Sequence, residues 1–221
     1  MTAVRTLGQF VADEHIVEWL DESVAEINRA AGRGAKQAGK PQLLQVQCTS
    51  CKVTKMCCYS LAVARLYEGV IMAAELRRTS RDTPEFRDQL RARAEAMEAA
   101  SPYEWSTPCL FLDERERCTI YSVRPTSCGT LLVYSSPELC VQRSRQIQAY
   151  VPHEELAQAT MLEEAFRQRL ALRQKVGRRY LGVLPRMALV ALEAWDRTDF
   201  RDHLRQLPWP SDTELANWQR A

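Results

Sequence analysis

A mainly α-helical fold around an irregular, cysteine-rich centre is what this sequence predicts, on three observations. Apolar residues recur at helical spacing in successive segments on either side of the cysteines. All eight cysteines fall within residues 48–140, and four of them within residues 48–58. The stretches between the later cysteines carry turn residues, with room for two short strands at most. Three regions follow from this pattern: an N-terminal helix and linker over residues 1–41, a cysteine-cluster region over 42–140, and a C-terminal helical region over 141–221 packed on it.

At 221 residues the chain is long enough to bury a core without staples. Its 30 basic and 28 acidic residues are interleaved along most of the chain, which gives no electrostatic footprint for nucleic acid. Asp13, Glu14, His15 and Glu18 interrupt the place where a secretory signal would be apolar, and no uncharged stretch approaches a membrane span. The expected compartment is the cytoplasm, where thiols stay reduced, so clustered cysteines read as ligands or redox groups and not as disulfides.

Residues 9–31 predict an amphipathic helix with Phe10, Ile16, Val17, Leu20, Val24 and Ile27 on one side. Gly32, Gly34, Gly39 and Pro41 then predict a surface linker, and residues 43–47 an extended approach to Cys48. Residues 59–78 are good helix formers, which would put Cys57 and Cys58 near a helix start. Thr83 and Pro84 are a cap and first-turn signal for a helix over 84–100. Residues 101–108 form a turn-rich connection in which Tyr103 and Trp105 serve as lids on local core. Residues 119–122 suggest a short strand and 113–117 a polar turn. Ser136 and Pro137 open a helix running to about residue 150, and Pro152 resets the chain for another over 153–175. After Gly177 and Gly182, the most apolar helix covers 184–195, followed by short helices at 199–206 and 212–220.

Cys48-x-x-Cys51 is the strongest chemical signal, because two residues between thiols let the backbone bend into a knuckle that brings both sulfurs to one metal. Cys57 and Cys58 add two sulfurs close by, and soft thiolates select zinc, copper(I) or iron–sulfur chemistry. Cys109, Cys118, Cys128 and Cys140 are too widely spaced for further knuckles, so each is delivered by its own loop or strand. His15, His153 and His203 lie far from most of the cysteines and read as surface or cap residues.

The second cysteine group has a specific likeness. Pro108-Cys109-Leu110-Phe111-Leu112-Asp113, then Cys118-Thr119-Ile120-Tyr121, then Arg124-Pro125-Thr126-Ser127-Cys128 resembles the CxxCxxCC cysteine-cluster family of zinc- or iron-chelating domains. Its pattern is a CxxC, a Cys-Cys pair, PCPFL, C-x-IY-x-x-RP-x-x-CR and often a last cysteine, matched here by Cys140 in Ser136-Pro137-Glu138-Leu139-Cys140. The resemblance covers residues 48–140. It implies metal ligation by Cys48, Cys51, Cys57, Cys58, Cys109, Cys118, Cys128 and Cys140. Three departures stand out: the five residues 52–56 lengthen the gap before the Cys-Cys pair, Leu110 replaces a proline, and Gly129 replaces the arginine after Cys128. If that arginine neutralises an anionic centre, Arg124 or Arg143 must serve instead. The family is also similar in part to flagellin lysine N-methylases, although the chain has no glycine-rich nucleoside-binding motif to carry that activity over.

Cys48, Cys51, Cys58 and Cys128 lead the ligand set, followed by Cys57, Cys109 and Cys118, while Cys140 reads equally as a ligand or as a small buried thiol. Seven or eight thiols exceed the four of one cluster or one zinc, and adjacent cysteines rarely share a zinc, which leans the choice toward an iron–sulfur cluster with zinc the alternative. Tyr121, Arg124 and Asp113 are candidates to donate or organise hydrogen bonds around the sulfurs; otherwise Ile120 and Tyr121 pack in the core while Arg124 and Pro125 set a turn. The function expected is metal binding. The centre supports a redox or group-transfer reaction, or else it is a non-catalytic zinc-stabilised interaction module, with a protein partner or self-association through the C-terminal helices. A thiol redox switch is a third possibility, without the strand-then-CxxC-helix setting of a thioredoxin.

Overall fold

The computed structural model describes residues 4–42, 44–47, 56–100, 105–142, 146–172 and 179–211. Among them stand nine helices and one two-stranded antiparallel sheet, so the mainly α class holds. None of these helices is long and apolar enough to cross a membrane.

The N-terminal helix is two helices. Thr6 caps α1 (Leu7–Asp13) through a reciprocal capping box with Gln9, and α2 (Ile16–Gly39) restarts after His15, which takes a left-handed conformation at φ 49°. The linker expected from Gly32, Gly34 and Gly39 is absent, because α2 runs straight through them. A Cβ at Gly34 would lie 2.3 Å from the Tyr150 hydroxyl, so this glycine admits a partner and does not end a helix. Ala31, Ala35 and Leu132 form a small separate core there, covered by Val46, Tyr134 and Tyr150.

The helix expected over 59–78 also starts late. Residues 56–59 are a 3-10 turn, β1 (Val63–Arg65) is extended, and only then does α3 (Leu66–Arg78) begin. β1 pairs antiparallel with β2 (Leu181–Val183), with Ala64 opposite Gly182, and β2 leads directly into α8 (Leu184–Trp195). Helices α3 and α8 cross closely at Gly69, where a Cβ would lie 2.3 Å from the Met187 carbonyl oxygen. This pair is the axis of the fold. Around it pack α1, α2, α7 (His153–Arg169) and α9 (Phe200–Gln206), through one core that includes Leu7, Leu20, Tyr67, Val70, Phe166, Leu189 and Phe200.

Helix α4 (Pro84–Ala99) has the predicted start, with the Phe86 amide donating to the Thr83 hydroxyl oxygen at 3.2 Å, and it lies along α8. Three predicted elements are shorter or different. Residues 121–123 form a 3-10 turn in place of a strand, α6 (Pro137–Val141) stops early, and α7 closes at Leu170, where Ala171 turns left-handed. After α6 the chain turns back, and an isolated bridge joins Val133 to Ala149. The helix expected over 212–220 lies outside the described residues.

Candidate metal centre

Cys57 and Cys58 occupy the 3-10 turn and not the first turn of a helix, which removes the helix-dipole argument for their acidity. The turn is anchored at both ends. The Cys109 amide donates to the Cys58 carbonyl at 2.8 Å, and the Tyr59 hydroxyl donates to Glu116 Oε1 at 2.9 Å. The chain thereby brings the Cys-Cys pair against the second cysteine group, about fifty residues later.

Cys109 and Cys118 flank a tight reversal. Leu112 bridges to Cys118, and Asp113 organises the turn between them by accepting from the Arg115 and Arg117 amides at 2.9 and 2.8 Å. Those backbone bonds, with the Arg117 guanidinium, hold the Asp113 carboxyl below the usual carboxylate range. Asp113 is thus a turn-former, not a donor to sulfur. Phe111 between the two cysteines is fully buried and meets Phe86 edge-on at 6.0 Å, fixing the loop to the core.

Cys128 comes from α5 (Thr126–Gly129), a single turn that holds itself with little more than its own amides. Its attachment is made by others. Glu68 on α3 is 1% exposed and accepts from the Thr126 amide at 2.7 Å and from the Thr126 hydroxyl at 2.6 Å, while the Ser127 hydroxyl donates to the Val63 carbonyl at 2.5 Å. Cys140 is half-buried on α6, which packs against the turn that carries Cys57 and Cys58.

Cys57, Cys58, Cys109, Cys118 and Cys128 form one connected set in which each sulfur feels the charge or hydrogen bond of another. Cys57, the exposed member, is lowered to about 6 because the Cys58 thiol donates to its sulfur, with Arg124 adding positive charge. Cys58 is pushed far up by that same donation and by burial. Burial raises Cys109 and Cys118, and raises Cys128 to about 12, where the neighbouring Cys109 charge adds to it. Crowded thiols without a cation resist joint ionisation, and a bound cation relieves that repulsion. Among the described residues no three His, Cys, Asp or Glu side chains already stand at the spacing of a formed metal site. Cys48 and Cys51, the predicted knuckle, lie outside the described residues, as does Arg143. The three histidines sit on other elements: His15 before α2, His153 at the start of α7, and His203 in α9.

Three guanidinium groups rim the sulfurs. Arg124 acts on Cys57 and Cys118, Arg81 on Cys118 and Arg93 on Cys109. Arg81 donates to the Thr119 hydroxyl and Arg93 to the Pro108 carbonyl, so both are tied to the cysteine loop. Tyr121 is neither core nor sulfur donor: it is 62% exposed, and Arg124 lies over its ring at 4.3 Å. Ile120 alone of that pair is buried. The structure also accounts for Gly129, since a Cβ there would fall 1.9 Å from Asn28 Oδ1 on α2. Any larger residue there requires the Asn28 side chain to move, and Arg124 with Arg81 brings positive charge from elsewhere.

Sequence reasoning missed Glu68, Arg81 and Arg93. Glu68 carries a signal, a lone charge in the apolar run from Leu66 to Ala73, whereas Arg81 and Arg93 look like any other basic residues of a solvated segment. Beside Cys109 opens a cavity of about 340 Å³ lined by Tyr59, Arg93, Leu112 and Glu116.

The model of the CxxCxxCC family, described as "Putative zinc- or iron-chelating domain", matches residues 47–159, slightly more than half of the chain. The chain matches no curated protein and no solved structure.

Proposed function

The chain belongs to the CxxCxxCC family of zinc- or iron-chelating domains, and from that premise we propose that four of its cysteines, drawn from Cys57, Cys58, Cys109, Cys118 and Cys128 with Cys48, Cys51 and Cys140, ligate an iron–sulfur cluster. One observation carries the reading: thiols from four separate chain segments lie within electrostatic reach of one another, with the Cys109 amide bonded to the Cys58 carbonyl, and thiolates in that number suit iron–sulfur or zinc chemistry. The donor set fits the group. Arg81, Arg93 and Arg124 lie where they would offset the negative charge of a thiolate-bound centre. When bound, the cluster would supply one-electron chemistry or a soft Lewis acid beside the solvent-open depression at Cys109, the setting a redox or group-transfer role would use.

A closed zinc site is the second reading, favoured by the scarcity of regular structure where the ligands sit. Cys109 and Cys118 flank a five-residue turn, and α5 is one turn of helix, so a metal there ties loops together as structural zinc does. The deciding experiment is elemental analysis with a visible absorption spectrum on protein made with both metals available and purified without oxygen. Iron with acid-labile sulfide and sulfur-to-iron absorption is the expected result. Colourless protein with zinc favours the closed site, and protein that neither contains nor takes up metal overturns both.

A further inference from the structure

Among the described residues Glu68 is the most deeply buried carboxylate, 1% exposed, and both of its oxygens are taken up by attachments. It stands at the third position of α3. Its Oε2 accepts from the Arg65 amide at 2.7 Å, closing the helix start, while its Oε1 takes both donors of Thr126. One carboxylate thus spans the start of the central helix and the first residue of α5, two positions before Cys128. A single helical turn has no stability of its own, so the direction in which Cys128 points is set by what grips the turn. The grip is Glu68 on one side and the Val63 carbonyl, through Ser127, on the other.

We propose that Glu68 is a positioning residue of the metal centre, holding α5 so that the Cys128 sulfur faces the other thiols. This rests on the metal-centre reading above. The bond pattern explains why a carboxylate is needed there. Three donors converge on two oxygens, and glutamine at this site turns an N–H toward either the Arg65 or the Thr126 amide, leaving two donors face to face. The other strand–helix unit gives the contrast: the third residue of α8 is Arg186, which points outward to Glu98 at 2.8 Å and grips nothing near a cysteine.

The test compares Glu68→Gln, Thr126→Val and the control Arg186→Ala with wild type, all as full-length chain carrying the metal it was purified with. Two quantities are read: the chelator concentration that strips half of the bound iron or zinc, and the thiolate-to-cobalt absorption after refilling with Co²⁺. Circular dichroism checks folding. Glu68→Gln should lose metal at about tenfold lower chelator concentration and show weakened cobalt–thiolate absorption, Thr126→Val should change in the same direction by less, and Arg186→Ala should stay within about twofold of wild type. A folded Glu68→Gln with wild-type stripping and cobalt spectra would overturn the proposal, since a purely structural residue changes melting and leaves both readings alone. Where Glu68→Gln does not fold, Thr126→Val decides by the same readings. Wild type that holds neither iron, zinc nor cobalt fails at the earlier step and removes the metal centre itself.

Discussion

In β1–α3 and β2–α8 the chain makes the same move twice: three extended residues, then a helix that begins at once. The exchange between the two is reciprocal. The Leu66 amide donates to the Tyr180 carbonyl at 2.8 Å and the Leu184 amide to the Ala62 carbonyl at 2.9 Å, on either side of the antiparallel pairing of Val63 with Val183 and Arg65 with Leu181. Backbone alike, the units differ in what their side chains do. The first offers Gly69 to the crossing and turns Glu68 inward to α5; the second offers the Met187 carbonyl and turns Arg186 outward to Glu98. The shared backbone builds a frame, and the third helical residue turns inward to α5 in one unit and outward to Glu98 in the other.

The crossing should be the most sensitive part of that comparison. In Gly69→Ala the new Cβ meets a backbone oxygen at 2.3 Å, which no side-chain rotation relieves, so α8 must move. Overpacking outweighs the gain in helix propensity, and we expect a net loss of about 2 kcal/mol, a fall in Tm of about 4–8 °C. Gly182→Ala is the internal control, because its Cβ would meet the terminal methyl of Met187, a flexible end that can swing aside. Thermal melts of both variants check this; a Gly69→Ala protein as stable as wild type would mean the two units are not locked at that point.

The same contrast shows what the sequence could reveal. Helix α8 was legible because Met187 to Leu192 are all apolar and Pro185 marks its first turn; α4 was legible because Thr83 and Pro84 are a local cap. β1 was not, since Leu61 to Arg65 reads as helix by propensity and becomes a strand only through a partner more than 110 residues away. The passage of α2 through Gly34 was hidden for the same reason, its cause being Tyr150. At the site, the cysteine identities were visible as a pattern, and the likeness to the CxxCxxCC family followed from them. A shared site was expected from that pattern, but the attachments that hold its segments were not visible, because they are single tertiary bonds such as Cys109 to Cys58 and Glu68 to Thr126. Spacing names candidate ligands; tertiary contacts say how they are held.

At their far ends the two units are joined by charge. Arg77, in the last turn of α3, reaches Asp196 at the end of α8 at 2.9 and 3.2 Å and also Asp82 at 2.9 Å, while Arg87 grips Asp82 through two bonds of 2.6 and 2.8 Å. Arg87 first, then Arg77, hold the Asp82 carboxyl below its ordinary range. A carboxylate more acidic in the folded chain contributes stability that is complete above the unfolded pKa near 3.8 and is lost as pH falls through the lower folded value. Asp82→Asn should therefore cost about 1 kcal/mol near neutral pH, after allowance for solvent, and shift Tm by about 2–4 °C. As pH falls below about 4 the variant and wild type should draw together, and they should meet once pH is below the lowered folded value, since protonation removes in wild type what the substitution removed already. Melts across that range check it; curves that stay parallel down to strong acid would show that the Asp82 charge does not link the helix ends.

The smallest effect belongs to the residue that makes the comparison sharpest. Arg186 and Glu98 form a two-bond pair at 3.0 and 2.8 Å between α8 and α4, and both side chains are partly open to solvent. Such a pair gains little, because water screens the attraction and two long side chains lose freedom to hold it. Arg186→Ala should lower stability by no more than about 0.5 kcal/mol, a Tm change of about 1–2 °C. That modest figure is the useful one. Glu68 occupies the same helical position in a unit of the same backbone, so any larger penalty there measures burial and the attachment of α5, not the third position of a helix as such. If Arg186→Ala instead destabilised as strongly as Gly69→Ala, the outer pair would be part of the frame, and the division between a unit that serves the centre and one that does not would fail.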